Sequence, residues 1–167
     1  MIEYSLLKLL HLGALIFWLG PPLGAWLVLK VVEKETKLTD PVAARVSQVF
    51  HWMIILEHIA FAVLLTTGFM LALNYGLIGT EWLQQKLWII LLIVVPLEVV
   101  DVLLGNWIAS RAARKLHSGQ RLTLWENAGY KFYHGVFTQI ALVAIPVSVV
   151  GIMYLAISKS SLELLLS

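Results

Sequence analysis

Apolar and polar positions fall in long blocks along this chain. Four apolar stretches, about 4–29, 49–74, 87–109 and 132–157, are separated by short polar segments. An α-helix rises about 1.5 Å per residue and the hydrocarbon core of a bilayer is about 30 Å thick, so about 20 apolar residues cross it. Each stretch is long enough. The pattern predicts an all-α integral membrane protein, a single transmembrane four-helix bundle over residues 1–167. The first stretch is read as a retained helix, because it is longer than the apolar core of a signal peptide.

Local signals refine this outline. Pro21 and Pro22 fall inside the first stretch and predict a kink or break, since each removes a backbone donor. Pro96 and Pro146 are expected to bend the third and fourth helices. Asp40 before Pro41 reads as an N-cap with proline at the first helical position. Thr80 and Glu81 are expected to cap the third helix. The third loop, 110–131, reads as the longest, with an amphipathic interfacial turn around Leu122 and Trp125. Gly13, Gly20, Gly24 and Gly68 are expected to allow close helix approach or room for a ring.

Composition agrees with a membrane protein. Hydrophobic residues make up 60% of the chain and charged ones 13%, about half the usual share in soluble domains. A net charge of +2 carried in loops argues against nucleic acid as a partner. There is no cysteine, which excludes disulfides, thiolate metal sites and covalently attached haem.

Lys30, Lys34, Lys37 and Arg45 flank the first loop, and Arg111, Arg114, Lys115, Arg121 and Lys131 the third. The opposite side carries only Lys8, Lys86 and Lys159. Basic short loops stay in the cytoplasm, so both termini are expected outside, in a bacterial inner membrane. Tryptophans 18, 26, 52, 82, 88 and 107 lie mainly near segment ends, as an aromatic belt would.

Polar residues at membrane depth are costly and face a bundle interior, a partner or a ligand. His11, His51, His58 and His134 all fall inside the apolar stretches. His51 and His58 are seven residues apart and share a helix face. Counting from the ends puts His51 and His134 level, about one turn in. Two level imidazoles on different helices can ligate one haem from both faces. His117 reads as a solvated loop residue, and Met53 and Met70 as packing residues. Glu57, Glu98 and Asp101 fall near the midplane beside His58. They suggest a proton path, an alternative metal site, or pairing with each other or Arg111.

The opening LLKLLHLGALIFWLGPPLG, with Lys8, His11, Trp18 and Gly20, resembles the four-helix membrane proteins that include HemJ-type protoporphyrinogen oxidases and copper-resistance D-type proteins. The later Trp82, Lys86 and Leu87 element resembles the same group, and the likeness covers all four stretches in order. The resemblance implies a haem b associated with His11 and an activity that depends on Lys86. In the fourth helix the family's Asn-Glu-x-Pro element is replaced by Thr138, Gln139, Ile140 and Ala141.

Together these readings predict a b-type haem protein of membrane electron transfer. One haem b is expected between His51 and His134, with a second at His11 or His58 left open. Quinone or a porphyrinogen is the expected redox partner, and a homo-oligomer is left open. The alternatives are a HemJ-like oxidase, a non-haem metal site of His58 with Glu57, Glu98 and Asp101, and a structural subunit without cofactor.

Overall fold

A computed structural model describes residues 3–37 and 39–159. Four helices, each long and apolar enough to cross a membrane, make up the bundle: α1 (Tyr4–Glu35), α2 (Pro41–Asn74), α3 (Glu81–His117) and α4 (Leu124–Ser158). No strand occurs among the described residues. Each helix packs on its neighbour in sequence, α1 on α2, α2 on α3 and α3 on α4, while the α1 and α4 backbones approach each other only sparsely. The first and third loops lie at one end, the basic end. The second loop and the described chain ends lie at the other.

The helices overrun the apolar stretches. The third loop shrinks to 118–123, because Arg111–His117 extend α3 and Leu124–Phe132 begin α4. Hydropathy marks only the part immersed in lipid, whereas Ala, Leu, Arg and Lys keep a helix going in water. The turn expected around Leu122 and Trp125 is in fact the first turn of α4. It is closed by a reciprocal capping pair, Thr123 with Glu126. Lys115 reaches across from α3 to Glu126 at 2.5 Å. Asp40 caps α2 as expected, accepting from the Val42 amide at 2.8 Å. Thr80 stands at the α3 N-cap but donates to the Leu77 carbonyl instead.

α1 passes through Pro21 and Pro22 as one helix, so the expected break does not occur. Irregularity appears elsewhere, as three π-helical stretches at Ile90–Val94, Val102–Ala109 and Tyr133–Phe137. The first leads into Pro96, whose missing N–H interrupts the regular ladder.

Burying apolar side chains gains little in lipid, so close packing by small residues holds the helices together. Ala109, Ala112 and Ala113 on α3 are buried, as are Ala43 and Ser47 on α2. Gly105 lies under the Tyr133 ring, and Gly129 under Ile108. Gly13, Gly20 and Gly24 face open space, so the close approach expected there is absent. Of the glycines singled out from sequence, only Gly68 is tightly packed. Leu29, Phe50, Ile54, Tyr133 and Phe137 form a core toward the basic end, and Trp18, Ala60, Val94 and Val149 a second core. Trp52, Trp88 and Trp107 face outward, but Trp18 is buried and belongs to no belt.

Candidate functional site

Three groups of polar side chains sit at three depths. The middle group draws on all four helices. Glu57 and His58 come from α2, Glu98 and Asp101 from α3, Trp18 from α1 and Tyr133 from α4. Glu98 and Asp101 are three apart on one face, and that face meets His58. His58 Nε2 stands 3.3 Å from Asp101 Oδ2 and 3.8 Å from Glu98 Oε2. These are ion-pair approaches off the hydrogen-bond direction, so Nε2 has no hydrogen-bond partner. The Asn106 amide lies 3.5 Å from His58 Nδ1. The Trp18 indole donates to Glu98 Oε1 at 2.7 Å, and Tyr133 lies beside Asp101. Glu57 is buried, and its Oε2 is without a partner.

The acids and His58 therefore meet where depth counting put them. Their partners are Trp18, Tyr133 and one another, not Arg111, which is exposed at the basic end. Among the described residues no three His, Asp or Glu side chains converge closely enough to hold a metal ion.

At the basic end, His51 Nδ1–H donates to the Ser47 carbonyl at 2.6 Å. That bond leaves the lone pair on Nε2, which is buried and has no partner. His51 lies on the wall of a cavity of about 680 Å³ between α2 and α3. Trp52, Ile55 and Ala113 give it apolar surface, while Arg114 and His117 line it as cations or donors. His117 is thus the half-buried last residue of α3, not the solvated loop residue expected from sequence.

His134 does not line this cavity. It is buried in the π-helical stretch of α4, with Tyr130 and Tyr133 ring centroids 4.5 and 5.0 Å away. The Phe50 ring packs against both histidines, 5.5 Å from His51 and 5.9 Å from His134. Neither His134 nitrogen has a partner. Beyond it, Glu33 accepts from Tyr130 Oη and Lys30 Nζ, each at 2.9 Å, tying α1 to α4.

Toward the other end, His11 Nδ1 lies 3.0 Å from the Leu64 carbonyl and 3.1 Å from Thr67 Oγ1. The Thr67 hydroxyl itself donates to Val63, so His11 must be the donor to both. Lys86, near the start of α3, lies toward the same end of the bundle as His11. Gly68 makes the space: a Cβ there would stand 2.9 Å from His11 Cε1. The ring is pinned by two hydrogen bonds and cannot swing aside freely. Gly68→Ala is therefore expected to destabilise the bundle by about 1–3 kcal/mol, as overpacking does. Unfolding in mixed micelles measures it, and the same change in a His11→Ala background should cost far less.

Compared with protein-family models, curated proteins and solved structures, the chain matches none.

Proposed function

We infer that the protein is a b-type haem-binding membrane protein of electron transfer, with His51 as the residue that holds the haem. The observation that carries this is His51, which lines a cavity of about 680 Å³ and whose Nε2 has no hydrogen-bond partner. Metal-ligating histidines commonly donate their other nitrogen to a carbonyl, as His51 does to Ser47. The volume lies within the roughly 300–1,000 Å³ of ligand pockets. His117 offers a second imidazole and Arg114 a cation for acidic substituents on the same wall. His134 lies off the cavity with Phe50 against it, so sharing one haem with His51 requires Phe50 to move.

A bound haem supplies a one-electron couple, tuned by its axial ligands and burial. The chain's own part is to hold the ring, to exclude water with Trp52 and Ile55, and to carry protons through His58 and the midplane acids. Quinone or a porphyrinogen is the redox partner in this reading. The basic loops support a bacterial inner membrane location with both termini outside.

The purified protein is expected to be coloured, with a visible spectrum that changes on reduction. His51→Ala should remove most of that signal, while His134→Ala should leave it. A colourless preparation sinks the haem reading.

A second reading, a HemJ-like porphyrinogen oxidase, draws on His11 and Lys86 lying toward the same end of the bundle. It requires protoporphyrinogen turnover that is lost in Lys86→Ala.

A further inference from the structure

Besides the His51 pocket, the bundle holds a second cavity, of about 200 Å³, along the seam where α1 and α4 fail to close. Glu57, Glu98 and Asp101 line one side of it. Glu57 and Glu98 are 7% and 4% exposed, and Oε2 of each has no hydrogen-bond partner. The Trp26 indole N–H, on the same lining, has none either. The rest of the wall is aromatic and aliphatic. Leu23 and Pro146, at its edge, are exposed on the lipid-facing surface of the bundle.

We propose that this cavity binds the headgroup of a lipid-soluble hydroquinone, which enters from the bilayer between α1 and α4, donates its hydroxyls to Glu57 and Glu98 and accepts from Trp26. The match is one of donors and acceptors. Glu57 Oε2 and Trp26 Nε1 have no hydrogen-bond partner and Glu98 Oε2 has only the distant His58 Nε2 at 3.8 Å, and a phenolic hydroxyl is both donor and acceptor. A quinone only accepts and so offers nothing to an ionised carboxylate, while a lipophilic cation does nothing for Trp26. The volume is below that of drug-sized pockets, so it takes a ring and leaves the tail in lipid. The proposal rests on the redox reading by giving it a substrate, but binding itself needs no haem.

The test uses the full chain in phosphatidylcholine nanodiscs with tritiated decylubiquinol. Saturable binding is expected, at least tenfold tighter than that of decylubiquinone in competition. Glu57→Gln should weaken the quinol tenfold or more and the quinone less than twofold. Trp26→Phe, which keeps a ring but loses the N–H, should weaken both. Ala141→Phe, which fills the cavity, should abolish both. Binding that never saturates, or that survives Ala141→Phe, overturns the proposal. So does tetraphenylphosphonium outcompeting the quinol, which would make the cavity a cation site. The visible spectrum of each preparation separates the two readings. Quinol binding by colourless protein upholds this proposal and sinks the haem, and pigment without quinol binding does the reverse.

Discussion

Replacing His58 with alanine is expected to destabilise the bundle by about 3–5 kcal/mol, the cost of stripping one partner from a buried charged pair. His58 stands between Asp101 and Glu98 at 3.3 and 3.8 Å, with side-chain exposures of 14%, 16% and 5%. Without the imidazole, two carboxyl groups face each other and Glu57 at a depth where water is scarce. An ordinary side-chain hydrogen bond between membrane helices is worth only about 0.6 kcal/mol, and at most about 1.7. Magnitude therefore decides between the two kinds of network. Equilibrium unfolding in mixed micelles gives the number. A loss below about 1 kcal/mol would mean that His58 is just another hydrogen bonder. Asp101→Asn supplies the control, because His58→Ala should cost much less once its nearest carboxylate is neutral.

Tyr133→Ala is the second large effect. The ring is 2% exposed, packs on Phe137 at 5.9 Å and on His134, and covers Gly105. Removing about 100 Å³ of ring at about 24 cal/mol per Å³ of cavity predicts a loss of about 2.5 kcal/mol. Tyr133→Phe keeps the ring and should recover most of that loss. Gly105→Ala attacks the same contact from α3, since its Cβ would stand 2.6 Å from the Tyr133 hydroxyl. The two substitutions share one contact, so their effects should not add. Full additivity would mean that the ring does not rest on Gly105.

What the sequence made legible follows from what lipid demands. Four apolar stretches of spanning length allow little besides four helices. Counting residues inward was enough to bring Glu57, His58, Glu98 and Asp101 together. Helix ends were less legible, because hydropathy stops at the lipid boundary and backbone hydrogen bonding does not. That is why His117 read as loop and proved to line the His51 cavity. Trp18 and Tyr133 were missed as partners of the acids, since aromatic residues in apolar runs look like belt or packing. The π-helical stretches were also invisible. His134 sits off the His51 cavity because that cavity opens between α2 and α3, while His134 is on α4.

The lengths of the helices carry one more consequence. Relative to the apolar stretches, α1 runs six residues past 29 to Glu35 and α2 starts eight before 49, at Pro41. α3 runs eight past 109 to His117, and α4 starts eight before 132, at Leu124. At about 1.5 Å per residue, these overhangs stand about 9–12 Å above the hydrocarbon, all on one leaflet. At the other end only α3 projects comparably. The result is a rigid collar that carries Lys34, Arg45, Arg111, Arg114 and Lys115. Its height is close to the Debye length of about 8–10 Å in physiological salt, so these cations are held where anionic headgroups still feel them. The bundle is therefore moored to one face of the membrane, with the mouth of the His51 cavity inside the moored layer.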